Sequence, residues 1–294
     1  MVYIAVSTPQ KEEAERCLRE VFPEGRDLYK ICDPWESSYQ PESDWPDEEH
    51  GPIQQTQAEL SPSTNIISTR RNMRFLFSGA VQDGEHGLTV AHSTEPEDRI
   101  KFYLDHDSLA LNGTVGQCLQ TYGNLLRLSG ETLTADLAFL RLNTRRYSVH
   151  NTVRWPLPIG KPLQIRIFKE HDVPEDNKVM ILDQNGDFQY GYLDRNRFTD
   201  RNKELHNLLA ISNKDGDKDV AITAKGDSGA LVMSRPNNVD FVYVFGVASF
   251  RYDDDTNGTS LTLASSLWDV IRELHTNHNY RASLINMYDD IDFA

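Results

Sequence analysis

The chain is poor in several features that would mark particular classes of protein. Three of its 294 residues are cysteine, Cys17, Cys32 and Cys118, far apart and odd in number, with no CxxC pair and no Cys/His ligand spacing. That excludes a disulfide framework and a structural zinc site, and it suits a reducing compartment. No window comes near 18 uninterrupted apolar residues, and the densest, Phe241–Phe250, has only the length of a strand, so nothing reads as a membrane span. The opening MVYIAVSTPQKEEAERCLREVF lacks the basic start and apolar stretch of a secretory signal. Basic residues are the minority, 30 Lys and Arg against 45 Asp and Glu, for a net charge of −15. Nucleic acid and anionic membrane surfaces are disfavoured as partners, because both are bound through cationic side chains. The expectation is a soluble, cytoplasmic protein.

What is present, 38% apolar and 10% aromatic residues over this length, suffices for one large domain or two of ordinary size with a real core. Residues 1–60 read as an extension. Val2–Val6 reads as a short strand, and a helix follows, with Ser7 or Thr8 as its cap, Pro9 at its first position and Glu12 and Glu13 complementing its dipole. From Asp33 to Glu59 there are eight acidic residues, four prolines and no Lys or Arg, the composition of a linker. Trp35 and Trp45 are unusual in a plain spacer. After Thr64, short apolar runs alternate with turn signals such as Asp83-Gly84, Asn112-Gly113, Asn185-Gly186 and Asn257-Gly258. This is the pattern of antiparallel β structure, with no helices alternating between the strands. Ser265–His275 reads as a helix capped by Ser265 or Ser266, with Leu267, Val270, Ile271 and Leu274 on one face. Residues 277–294 form a polar, acidic tail.

Three segments carry chemistry: GEHGLTVAHS (84–93), ADLAFLRL (135–142) and KGDSGALV (225–232). They present His92, Asp136 and Ser228 in that order. A serine hydroxyl needs a base within hydrogen-bond reach, and imidazole can take and return that proton. A buried carboxylate on the other ring nitrogen sets the tautomer and stabilises the imidazolium. Gly226 allows a backbone turn in which its own N–H and that of Ser228 face one oxyanion. In motif text, order and spacing these segments resemble the chymotrypsin-like serine proteases, over roughly residues 64–276. The resemblance implies an all-β fold of two six-stranded antiparallel barrels, about 64–150 and 155–264, and a C-terminal helix. It also implies a protease domain at 61–276 with Ser228 as nucleophile, His92 as general base then acid, Asp136 as orienter, and no cofactor or metal.

By the same resemblance Phe245–Phe250 matches the strand beside the primary specificity pocket, with Ser249, Phe250 and Arg251 along the substrate edge. Ile222 falls at the pocket base, followed by Thr223, with Lys225 nearby and Gly258 and Ser260 on the opposite wall. The apolar base implies an uncharged P1 residue, the one before the scissile bond; Asp253–Asp255 would attract a basic one and Arg251 an acidic one, so the preference stays open. The chain departs from the family at Ser93 and Ala224, where cysteines are usual, and at Ala230. It also lacks an Ile-Val-Gly-Gly activation start, so Asp227 needs partners other than a new N-terminal ammonium: local N–H groups or a basic side chain. The expected function is a regulated, narrowly specific serine endopeptidase of intracellular signalling or defence, acting on protein or peptide substrates under a regulatory partner or residues 1–60. The alternatives are a catalytically silent module of the same fold that recruits a protein, and a hydrolase using Cys118 or Cys32. Asp253–Gly258 and Asn213–Asp219 begin like calcium loops but lack the closing Glu and read as turns.

Overall fold

The computed structural model describes residues 2–5, 29–32, 58–81, 85–103, 114–128, 131–144, 147–154, 162–167, 177–215, 218–235, 241–254 and 256–278. The expected N-terminal helix, the segment with Trp35 and Trp45, the turns at Asp83-Gly84 and Asn112-Gly113 and the tail beyond His278 lie outside those residues. Two compact units are present, Met1–Gln54 with Asn277–Asn279, and Gln55–Thr276 with Tyr280–Ala294. In the first, β1 (Val2–Ala5) pairs in parallel with β2 (Tyr29–Cys32).

The second unit is built from strands. Short β3 (Ala58–Leu60) pairs in parallel with β11 (Tyr147–Val149). A seven-stranded sheet contains β4 (Asn65–Ser68), β5 (Arg74–Leu76), β6 (Gly79–Val81), β7 (His86–Thr89), β8 (Arg99–Phe102), β9 (Thr114–Leu128) and β10 (Glu131–Leu142). Its order is β5-β4-β8-β9-β10-β7-β6. The two end strands are separated in the chain only by Phe77 and Ser78, so the sheet must curl back on itself.

The remaining strands are β12 (Thr152–Arg154), β13 (Pro162–Ile167), β14 (Lys178–Leu182), β15 (Phe188–Leu193), β16 (Phe198–Asp200), β17 (Leu205–Asp215), β18 (Lys218–Val220), β19 (Leu231–Ser234), β20 (Phe241–Asp254) and β21 (Thr259–Ser266). Among them β14, β15, β17, β21, β20 and β19 pair in a ring that returns to β14, which closes a six-stranded barrel. Helix α1 (Leu267–His278) follows β21 and buries Leu267, Val270 and Ile271. Its cap is Ser266, whose Oγ accepts the Asp269 N–H at 3.3 Å.

The all-β, two-barrel architecture expected from the sequence is therefore present, with two differences. The first sheet is a half-barrel whose hydrogen-bonded path stays open, because β5 and β6 are halves of one bent segment and do not pair. The second carries a parallel neighbour, β13 against β20. Burial along β20 explains its length. Exposure alternates at both ends, as on a strand with one wet face, while Val244–Ser249 is buried throughout between the barrel core and the site. Ile181, Ile211, Val232, Phe245 and Ala264 fill that barrel, joined by Leu76 from the first sheet.

Candidate active site

His92 sits in a 3₁₀ turn, Ala91–Ser93, directly after β7. The loop that follows is gathered by Asp98, fully buried, whose carboxylate accepts from the Ser68, Thr69 and Thr94 hydroxyls and from the Arg70 N–H. Asp136 lies within β10 at 2% exposure. Its Oδ2 is 2.6 Å from His92 Nδ1, and its Oδ1 accepts the His92 backbone N–H at 2.8 Å. A carboxylate at Nδ1 places the ring proton there and leaves Nε2 as acceptor.

Behind Asp136 runs a serine relay that the sequence did not single out. The Asp136 N–H donates to Ser265 Oγ of β21 at 3.0 Å, and Ser265 Oγ lies 3.3 Å from Ser249 Oγ of β20. Ser249 itself donates to the Val247 carbonyl at 3.1 Å, so the Ser265 hydroxyl is the donor to Ser249. Both serines are buried, and the relay ties β10 of the half-barrel to the closed barrel.

Ser228 lies between two glycines with positive φ in reach, Gly226 (+105°) and Gly229 (+95°). At Gly229 a methyl would overlap the Leu76 carbonyl, so only glycine allows this approach between the sheets. The same seam is stitched by Leu76 N–H to Ser228 O at 2.7 Å and by Ser78 Oγ to Gly229 O at 2.7 Å. Around the serine, the N–H groups of Ala224, Asp227, Gly229 and Ala230 all have acceptors. Among the described residues those of Gly226 and Ser228 have none, which leaves two donors free for an oxyanion.

Asp227 is satisfied by local N–H groups, one of the two solutions left open by the sequence. Its Oδ1 accepts from Gln184 N–H at 3.0 Å and its Oδ2 from Ala224 N–H at 2.6 Å. Gln184 belongs to the Asp183–Asp187 turn between β14 and β15 and was not foreseen. Its side-chain amide donates to the Lys225 carbonyl at 2.8 Å and stands where a Gly226 side chain would have to go. Its own carbonyl accepts from Asn65 Nδ2 and the Arg74 guanidinium of the first sheet. One glutamine thus ties the Lys225 carbonyl and the Asp227 carboxylate to the first sheet.

His92 and Ser228 line one cleft of about 650 Å³, together with Gly226, Thr223, Lys225, Ser249, Phe250 and Arg251, all singled out in the sequence. Asn72, Met73, Arg74 and Gln184 line it as well, without having been foreseen. The Phe250 ring lies beside His92, 5.8 Å between centroids. No hydrogen bond closes between Ser228 Oγ and His92 in this conformation; such contacts commonly tighten only with substrate. Asp136 lines a neighbouring cavity of about 720 Å³ that His92 and Phe250 share. Ile222 lines a third, of about 580 Å³, whose wall includes Thr223, Ala224 and Arg251 from the main cleft. Gly258 and Ser260 line none of the three: Gly258 is in the exposed β20–β21 turn, and Ser260 is buried, accepting the Ala221 N–H.

Asp254 closes that turn through the Thr256 N–H and the Asn257 amide, the reason its carboxyl lies below the usual range. Cys118 is buried in β9, and burial pushes its thiol up to about 12, leaving no thiolate for the cysteine chemistry weighed as an alternative. The Cys32 side chain lies outside the described residues.

Comparison with solved structures finds chains of similar fold. Thermobifida fusca protease A aligns at a TM-score of 0.49 and 15% identity, over 77% of this chain and 98% of its own. A glutamic-acid-specific serine protease aligns at 0.49 and 13%, over 76% and 100%. Cellulomonas bogoriensis chymotrypsin aligns at 0.49 and 14%, over 77% and 98%. No protein-family model matches the chain, and no curated protein does.

Proposed function

We propose that residues 61–276 form a serine endopeptidase domain acting through an acyl-enzyme. The observation that carries this reading is the convergence in one cleft of an imidazole backed by a buried carboxylate, a serine, and two unpartnered N–H groups beside that serine. In this reading His92 Nε2 takes the Ser228 proton as Oγ attacks the scissile carbonyl. The oxyanion is held by the Gly226 and Ser228 N–H groups. His92 then protonates the leaving amine, and water, activated by the same imidazole, releases the acyl group. Asp136 keeps the ring oriented and offsets its charge.

The reading extends to a soluble, intracellular enzyme with few substrates, because three widely spaced cysteines suit a reducing compartment and a free endopeptidase there would be hazardous to the cell. Control by residues 1–60 or by a protein partner would replace activating cleavage. A fluorophosphonate probe tests the core of the reading. Stoichiometric labelling is expected, abolished in Ser228→Ala and greatly weakened in His92→Ala. Absence of labelling, alone and with a co-purified partner, would favour the non-catalytic recruiting module.

A further inference from the structure

Charge and hydrogen-bond polarity along the cleft point to its substrate. Among the described residues no carboxylate side chain lines the cleft that holds His92 and Ser228, whereas Arg74, Lys225 and Arg251 all do. Thr223, Ala224 and Arg251 line both this cleft and the cavity at Ile222, and so mark where the two adjoin. A side chain entering there would have both Thr223 and Arg251 in the lining around it.

The proton on Thr223 can be placed by counting. Thr262 Oγ1 accepts the Ile222 N–H at 3.0 Å and the Thr223 N–H at 3.1 Å, which occupies both of its lone pairs. Its own proton must therefore go to Thr223 Oγ1, 2.8 Å away. Thr223 accepts that bond and retains one hydroxyl proton with no protein acceptor. The residue is only 9% exposed, so little water reaches it. Each polar side chain where the two cavities adjoin can therefore donate: Thr223 O–H, the Arg251 guanidinium and, beside them, the exposed Lys225 ammonium.

The adjoining cavity does contain two carboxylates, Asp183 and Asp227, each of them hydrogen-bonded to donors of its own turn or the neighbouring one. Asp183 accepts from the Asn185 and Asp187 N–H groups and the Gln189 amide, and Asp227 from Gln184 and Ala224. Arg251 pairs with Asp253 at 2.9 Å, with both side chains about half exposed. A pair of that kind contributes little and yields readily to a second carboxylate.

We infer that this cleft selects peptides with a carboxylate side chain at P1, held by the Thr223 hydroxyl and the Arg251 guanidinium. The inference rests on the protease reading. It settles the open preference against the uncharged residue suggested by Ile222 and against a basic one. A lysine or arginine would bring a cation to the Arg251 and Lys225 cations and leave the Thr223 proton without an acceptor. A charge-assisted acceptor gains from both partners.

Peptide aminomethylcoumarins differing only at P1 (Glu, Gln, Phe, Lys) test this on the full chain, with rates normalised to the fluorophosphonate-labelled fraction. Expected is a kcat/KM for Glu about tenfold above Gln and on the order of a hundredfold above Lys, each unit charge contact setting a discrimination of this size. Thr223→Val and Arg251→Ala should each shrink the Glu/Gln ratio, and Arg251→Glu should reverse the Glu/Lys order. Preference for Phe or Lys with normal labelling would overturn the inference and leave the protease reading standing. If no peptide is cleaved, fluorescein-labelled peptides are titrated against Ser228→Ala. Tighter binding of the Glu peptide supports the acidic site, and equal or reversed binding ends it. Loss of labelling would count separately, against the protease reading.

Discussion

At the scale of single residues, the decisive positions are those where backbone and side chain leave no room for alternatives. Gly229 is one. Its φ of +95° and its contact with the Leu76 carbonyl mean that Gly229→Ala strains both chains at the seam between the sheets. A loss of about 3 kcal/mol or more in denaturant unfolding is expected, with reduced probe labelling in the fraction that remains folded. Ser265 is another. Ser265→Ala strands the buried Asp136 N–H, an expected cost of about 1–3 kcal/mol in stability. A role in orienting Asp136 further requires that kcat fall while KM changes little, and that Ser265→Thr restore it. Cys118, with its thiol at about 12, has roughly one thiolate in ten thousand at pH 8. Iodoacetamide should therefore leave it unmodified in the folded protein and react only after unfolding, as read by intact mass.

At the scale of elements, the β14–β15 turn supplies a partner to Asp227, which in the proposed reading takes the place of a new N-terminal ammonium. Gln184 fixes Asp227 through its backbone and the Lys225–Gly226 peptide through its side chain. Gln184→Ala keeps the first contact and loses the second. A drop in kcat of about tenfold is expected with KM within twofold, a part of the roughly 3–4 kcal/mol that a whole oxyanion donor supplies. Gln184→Glu, which sets a carboxylate against the Lys225 carbonyl, should be worse. Equal activity of all three would show that the loop holds its shape unaided. This turn was marked in the sequence only as Asn185-Gly186, and β15 was not seen at all. FQYGYL exposes Tyr190 and Tyr192 and buries Gly191 and Leu193, so its wet face carries the aromatics and its buried face a glycine. That inverts the apolar alternation by which a strand is recognised. In long β9 only residues 125–128 carry a dense apolar run; the preceding TVGQCLQTYGN is largely polar and takes its structure from its pairing with β10.

At the scale of the whole molecule, the chain's net charge of −15 contrasts with a cleft, within the second unit, lined by Arg74, Lys225 and Arg251. If residues 1–60 govern activity, as proposed, the truncation must respect the boundary at Gln54, because Ala58–Leu60 pairs with β11 and Leu60 is fully buried. A chain starting at Gln55 should turn over a peptide ester at a rate or affinity different from the full chain. Identical constants would remove that segment from the account of regulation and leave a separate partner.

The sequence by itself determined the strand-rich fold class and the C-terminal helix and singled out His92, Asp136 and Ser228 as candidates, because these are local properties: turn residues, apolar runs and short motifs that persist wherever they are placed. Only the tertiary structure decided that Gln184, Ser265 and Thr262 bond to the residues of the candidate site, since each acts through hydrogen bonds across more than 35 residues and bears no local mark. It decided also that one barrel closes and the other stays open. Barrel closure depends on which strands meet, and pairing between distant segments is a relation that no stretch of chain carries alone.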